Sequence, residues 1–267
     1  LPLHSLKMRL NAKGHGTDIF SKEMRYVINT TIDTLDYAGY RLRSIEARMS
    51  QRNGISKVSV DGHDSNLLFG IDATTRLRSS GMSNRTAIEL KNADLKGIGA
   101  VDSTLRIATN IEIAAKSDFR ESHSLKIAGD STVIEAMQNR FTPGELSFDF
   151  TTAPGGTDIK VHNGDLSIDG EMDCGYKRLF AALNKVARMN REMLEGKREL
   201  PHLHDYLEKL PDIHLDFDCG KENVLHSALA FAGVETNGIN MHADISRHGG
   251  VDISGNMLGL DASGISL

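Results

Sequence analysis

Apolar and polar residues alternate along most of this chain with a period of two, the repeat of a strand whose side chains point in turn to opposite faces of a sheet. Leu105, Ile107, Ile111 and Ile113 alternate with Arg106, Asn110 and Glu112, and Leu125 and Ile127 lead to Gly129. Leu146, Phe148 and Phe150 flank Ser147 and Asp149. Beyond the Pro154-Gly155-Gly156 turn, Ile159 and Val161 precede Asn163-Gly164, a hairpin signal, and Leu166 and Ile168 follow with Asp165, Ser167 and Asp169 opposite. Ile213, Leu215, Phe217 and Cys219 oppose Asp212, His214, Asp216 and Asp218, and Ile239, Met241, Ala243 and Ile245 oppose Asn240, His242, Asp244 and Ser246. The pattern predicts a mainly β chain, an extended antiparallel meander with one apolar and one wet face.

Aligning the strands on their glycines shows a cadence of apolar, polar, apolar, any, Gly. It recurs at Val58–Gly62, Leu125–Gly129, Leu166–Gly170, Val251–Gly255 and Leu260–Gly264. Irregular spacing makes it a strand cadence and not a solenoid of fixed period. One segment breaks the period. From Tyr176 to about Leu210, Tyr176, Leu179, Phe180, Leu183, Val186, Ala187, Met193 and Leu194 recur at steps of three and four, the spacing of an amphipathic helix. Gly196 and Pro201 punctuate it, and His202 to Leu210 reads as a second short helix stopped before Pro211. The chain is thus expected to divide into a β-meander over 1–174, a helical hairpin over 175–210, and a continuation of the meander over 211–267. Weaker helical stretches are expected from Asn223 to Phe231, capped by Gly233, and from Ser131 to Arg140.

Composition narrows the function. With 267 residues the chain is long enough for a real core, and 25 glycines with only 5% aromatics and no Trp favour many turns and aliphatic packing. Net charge −5 offers no concentrated positive surface, so nucleic acid is not an expected partner. The chain opens on Leu1 and has no apolar run of about 18 residues, and its end still alternates, so it is expected to be a fragment of a longer protein with any membrane contact made elsewhere.

Candidate chemistry is sparse. His202 and His204, two apart on a helix, do not share a face and do not chelate together. On strands, His214 with Asp216 and Asp218, and His242 with Asp244, do share a face and are conceivable acid–base pairs, although a solvated polar face explains them as well. Gly97-Ile98-Gly99 and His248-Gly249-Gly250 lack the strand–loop–helix setting of a phosphate cradle and read as turns. No nucleophile elbow, zinc-protease helix or CxxC pair occurs, so no enzyme, catalytic residue, metal or cofactor is expected. Cys174 and Cys219 each close a strand, and a bridge between them and two buried free thiols stand as equal alternatives.

A one-sided sheet must bury its apolar face against something. The meander of Leu-x-Ile-x-Gly strands resembles the β-rich region of the TamB and AsmA-like proteins of Gram-negative envelopes. The later segment resembles TamB-type proteins of the Bacteroides group, with Gly175-Tyr176 opening a helical insert, the strand from Leu210-Pro211-Asp212-Ile213 to Phe217, and Gly220-Lys221-Glu222-Asn223 before a short helix. That resemblance implies a long sheet rolled into an open U-shaped groove, in the periplasm, within an inner-membrane-anchored protein reaching toward an outer-membrane β-barrel partner. It also implies a non-enzymatic role, carrying phospholipid acyl chains between the membranes or assisting assembly of outer-membrane proteins. The groove-facing candidates are Leu105, Ile107, Ile111, Ile113, Leu125, Ile127, Leu146, Phe148, Phe150, Leu166, Ile168, Ile213, Leu215, Phe217, Ile239, Met241 and Ile245. A structural or adhesin-type β-sandwich on the cell surface, binding through loops such as Gly14 to Thr17 or Ala153 to Thr157, is the alternative. A glycan-active enzyme, which needs two facing carboxylates in a cleft, comes last.

Overall fold

Thirteen-residue strands open the chain, and no proline interrupts them. A computed structural model describes residues 3–37, 40–136, 139–196, 202–231, 234–246, 249–262 and 265–266. Its strands form one open antiparallel sheet that does not close, fifteen strands in succession with one short strand paired off that path, with 65% of residues in strands and three helices. Pro201, Gly233, His248 and Gly264, singled out in the sequence, lie outside the described residues. By internal contacts the chain separates into one unit of residues 1–116 and 126–146 and a second of 117–125 and 147–267.

The first unit is built from β1 (Leu3–His15), β2 (Arg25–Tyr37), β3 (Tyr40–Arg52), β4 (Ile55–Asp64), β5 (Leu67–Arg78), β6 (Gly81–Asp94) and β7 (Leu105–Ser117). Most of β8 (His123–Ala136) and the short β9 (Asn139–Phe141) complete it. Asn53 and Gly54, at φ 54° and 70°, form the tight turn between β3 and β4, a conformation that the Asn-Gly pair adopts at low cost. Gly62 lies opposite Phe69, whose ring occupies the space a Cβ at Gly62 would need.

The helix expected from Ser131 to Arg140 is not there. β8 continues to Ala136 and pairs with β9, Ile134 opposite Phe141 and Ala136 opposite Asn139, while 137 and 138 lie outside the described residues. Ser131 sits at φ 53°, which interrupts the strict alternation, and the β-branched run Thr132-Val133-Ile134 then favours a strand.

In the second unit β10 (Leu146–Ala153) and β11 (Gly156–Asn163) precede β12 (Leu166–Met172). Two helices follow, α1 (Tyr176–Leu194) and α2 (Leu203–Leu207), then β13 (Ile213–Cys219), α3 (Val224–Phe231), β14 (Val234–Ser246), β15 (Gly250–Ala262) and β16 (Ile265–Ser266). The insert between β12 and β13 is therefore helical, as its period of three and four predicts. Along α1 the covered stripe is Tyr176, Leu179, Ala182, Val186, Met189 and Met193, with Ala182 and Met189 buried. Phe180, Leu183 and Leu194, grouped with them in the sequence, face outward. The Tyr206 hydroxyl on α2 donates to Asn190 Oδ1 on α1 at 2.6 Å, tying the two helices together.

No side chain of its own caps α1 at Gly175. Thr152 Oγ1 accepts the Tyr176 N–H instead, at 3.0 Å, and lies 2.8 Å from Thr157 Oγ1, which donates to the Cys174 carbonyl at 2.7 Å. Helix α3 starts on side chains too: Asn223 Oδ1 accepts from His226 N and the buried Asn163 Oδ1 from Val224 N, both at 2.7 Å. Both cysteines are buried and neither forms a disulfide. Cys219 pairs with Leu166 at one end of β12, while Cys174 lies past Met172 at the other, on the order of 20 Å away, far beyond disulfide reach.

Candidate functional site

Antiparallel partners share a face, so the ladders place each predicted residue. Rows across β11 to β15 read Thr157, Met172, Ile213, Ile245 and Val251, then Ile159, Gly170, Leu215, Ala243 and Ile253. The next rows read Val161, Ile168, Phe217, Met241 and Gly255, then Asn163, Leu166, Cys219, Ile239 and Met257. All eight candidates on these strands, Leu166, Ile168, Ile213, Leu215, Phe217, Ile239, Met241 and Ile245, therefore stand on one face. The contact between Thr152 and Thr157 puts Phe148 and Phe150 on it as well, by alternation along β10. On β7, Leu105, Ile107, Ile111 and Ile113 are half-buried against exposed Arg106, Asn110 and Glu112, and Leu125 and Ile127 are half-buried on β8.

Of the seventeen candidates only Leu166 is buried; Leu146 and Met241 are exposed. Helix α3 packs beside β14 and covers the end of the face near Asn163 and Cys219, while on β15 Ile253 stays 62% exposed and Met257 51%.

The first unit repeats the arrangement with residues outside the predicted groove-facing set. Met8, Ile32 and Ile45 share a row, and Met49 and Val58 lie opposite each other, as do Val60, Ile71 and Ile88 in succession. The cadence at Val58-Ser59-Val60 and the alternation in Ile88-Glu89-Leu90 carried the signal.

The opposite face of β13 and β14 carries a tight cluster of titratable groups. His214 pairs with Asp244 and Asp216 with His242, so two His-x-Asp strands running antiparallel make a checkerboard. His214 Nδ1 donates to Asp244 Oδ1 at 2.8 Å and its Nε2 to Asp216 Oδ2 at 2.9 Å. His242 Nδ1 donates to Asp216 Oδ1 at 2.7 Å and its Nε2 to Asp244 Oδ2 at 2.8 Å. The rings meet edge to face, 5.0 Å apart.

A carboxylate only accepts, so four short contacts to four ring nitrogens require both rings to be imidazolium, and the cluster is then neutral. Hydrogen bonding to Asp244, then Asp216, accordingly holds the His214 pKa above its ordinary value, and the same carboxylates, Asp216 first, raise that of His242. Asp216 and Asp244 are pushed below the usual carboxylate range by the same bonds.

Sequence alone put each His beside its own strand's Asp but did not show the four together, because that depends on inter-strand register. Glu171 and Asp252 flank the His214–Asp244 row, and Asn240 donates a short hydrogen bond to Asp218 one row away. A shallow cavity beside the cluster is lined by Asp158, Glu171, Asp173 and Asp212 as well as His214 and Asp244. The side chains of His214, Asp216, His242 and Asp244 keep 38–51% of their surface, so the cluster is open to solutes. Among the described residues it is the one group of histidine, cysteine and carboxylate side chains close enough to hold a metal ion.

The site therefore has two sides: an aliphatic face left largely open, and a polar face with a charge-balanced His–Asp quartet. Among the described residues no helix is long and apolar enough to cross a membrane. Comparison with protein-family models, with curated proteins and with solved structures found no match.

Proposed function

We propose that the apolar face of this sheet takes up phospholipid acyl chains, and that the chain is a non-enzymatic, periplasmic segment of a larger TamB/AsmA-like envelope protein. That protein would carry phospholipid between inner and outer membranes, or assist assembly of outer-membrane proteins with a β-barrel partner. The observation that carries the reading is the shared apolar face of β11 to β15, on which the predicted residues Ile168, Ile213, Leu215, Phe217, Ile239, Met241 and Ile245 all keep surface in contact with solvent. Only eight hydrophobic residues are buried among those described, too few for the face to be an ordinary core.

Acyl chains suit such a face because binding needs no nucleophile or metal. Each methylene moved from water onto aliphatic side chains contributes about 0.8 kcal/mol, while headgroups stay wet. In a β-sandwich the same face would pack against a second sheet, and the strands described here lie in one.

The test is mass spectrometry of lipid retained after purification without detergent, on the parent and on an Ile253→Asp variant. Ile253 already keeps 62% of its surface, so the variant is expected to fold with a loss of about 1 kcal/mol or less. Phospholipid retained by the parent and lost by the folded variant is the expected result. A parent that retains none, and acquires none from phospholipid vesicles, overturns the proposal.

A further inference from the structure

We propose that His214, His242 and Asp244 bind one divalent transition-metal ion of the zinc class, with Asp216 orienting both rings from behind. The site is on the polar face and does not depend on the acyl-chain reading.

Each carboxylate bridges the two rings, and it is Asp244 that forms with His214 and His242 a set of donor atoms within 4.8 Å of one another. Asp216 holds one nitrogen of each ring, His214 Nε2 at 2.9 Å and His242 Nδ1 at 2.7 Å. The two remaining nitrogens, His214 Nδ1 and His242 Nε2, both point at Asp244, each 2.8 Å from a different oxygen of its carboxylate. One carboxylate thus plays the outer partner that fixes tautomer and ring direction at histidine metal sites. The other closes a three-ligand set, whose donor atoms lie within 4.8 Å of one another. Zinc–nitrogen and zinc–oxygen bonds of about 2.0–2.1 Å place tetrahedral ligand atoms roughly 3.4 Å apart. Small side-chain rotations on two hydrogen-bonded strands therefore convert the set.

Charge supports the exchange. With both rings protonated, two imidazolium charges balance two carboxylates. When a divalent ion enters between His214 Nδ1, His242 Nε2 and Asp244, the two protons on those nitrogens leave for solvent, and the ion's charge of two replaces theirs. The second proton of each ring stays on the nitrogen that donates to Asp216, His214 Nε2 and His242 Nδ1. The net charge of the cluster is unchanged, so no carboxylate is left uncompensated.

Two imidazoles with a carboxylate select zinc, cobalt, nickel or copper over magnesium and calcium, which take all-oxygen shells. The exposed side leaves a coordination position for water. The acidic residues of the adjoining cavity, with Glu171 and Asp252, raise the local concentration of cations.

The experiment is calorimetric titration of the tag-free chain with zinc chloride, in parallel with magnesium chloride, in two buffers of different ionisation enthalpy so that released protons are counted. Histidine ring resonances are followed by NMR during the titration. One zinc per chain, up to two protons released, weaker binding as pH falls, and perturbed His214 and His242 rings with an unperturbed His162 are expected. His242→Gln should abolish saturable binding, and Asp216→Asn should weaken it about 10- to 100-fold while keeping one ion per chain. Absence of saturable zinc binding by the parent near neutral pH overturns the proposal, as does binding that leaves the His214 and His242 resonances in place. The NMR arm uses the parent chain, so it decides even where a variant folds poorly.

Discussion

Thr157→Val removes one hydroxyl from the interior and little else, which makes it a sharp test of how the helical insert is anchored. Thr157 and Thr152 are each 1% exposed. A threonine hydroxyl has a single proton; that of Thr157 goes to the Cys174 carbonyl, so the Thr152 hydroxyl must donate to Thr157 while accepting the Tyr176 N–H. The chain of bonds therefore has one direction, from the first turn of α1 through both threonines to Cys174, two residues before the helix. Valine fills the same volume but takes away both the acceptor for Thr152 and the donor to Cys174.

Each buried group deprived of its partner costs about 1–3 kcal/mol, against which the added methyl returns about 1 kcal/mol, for a net loss of about 3 kcal/mol. For a chain of this size that lowers the melting temperature of the second unit by about 6–12 °C. Thr157→Ser keeps the hydroxyl and should lose only about 1 kcal/mol with its methyl. Thr152→Val removes the very hydroxyl that Thr157→Val strands, so the double variant should cost less than the sum of the two singles. Circular-dichroism melting, with hydrogen exchange at the Tyr176 amide, reads the parent and all four variants. A Thr157→Val variant within about 0.5 kcal/mol of the parent, or strict additivity in the double variant, refutes the reasoning.

Two further predictions concern titration. Asp118 accepts backbone N–H groups from Arg120, Glu121 and Ser122, which bring its pKa down to about 2; carbon-detected NMR should find it there, and back near about 3.9 in denaturant. Its stabilising effect is thus present above about pH 4 and fades as pH falls toward 2. For the quartet, raised pKa values on His214 and His242 mean stabilisation that is complete below about pH 6.5 and lost as pH rises through the folded values, whereas lowered values on Asp216 and Asp244 mean stabilisation lost on acidification below about pH 4. Metal-free protein should therefore melt higher at about pH 5.5 than at pH 8.5, with a difference that shrinks in a His214→Gln, His242→Gln double variant; an unchanged difference would count against the quartet.

The one-sided character of β11 to β14 was legible from alternation alone, because a half-buried strand has to alternate and nothing in those segments disturbs the count. The insert was legible for the same reason, its spacing changing from two to three and four at Tyr176. Where the count is disturbed, the pattern misleads: past Ser131, with its positive φ, Val133 and Ile134 are consecutive, and adjacent apolar residues read more easily as a helix face than as a strand that has changed phase. On α1, spacing gave an apolar sector wider than the stripe actually covered, since it cannot say which edge of the sector a neighbour touches. The quartet was half legible. His214-Leu-Asp216 and His242-Ala-Asp244 announce two like faces, but the bonds between them exist only in one alignment of two strands separated by more than a dozen residues.

That alignment is itself a problem the sequence solves on both faces at once. β13 and β14 are joined through α3 and not by a two-residue turn, so no turn geometry sets their register. A slip of one residue would turn Ile213, Leu215 and Phe217 away from the face they share with Met241, Ala243 and Ile245, and the apolar pattern forbids it. A slip of two keeps every side chain on its own face, and the apolar pattern is nearly indifferent to it. On the polar face the same slip is not neutral: one direction sets His214 opposite His242, and the other sets Asp216 opposite Asp244. Like charges directly opposed are destabilising, whereas the observed register gives two opposite-charge pairs and four hydrogen bonds. Hydrophobic alternation thus excludes the odd registers and the His–Asp checkerboard the nearest even ones. The quartet has a structural task in the metal-free protein, and a bound divalent ion, which bridges the same two strands with the same net charge, would enforce that register more strongly.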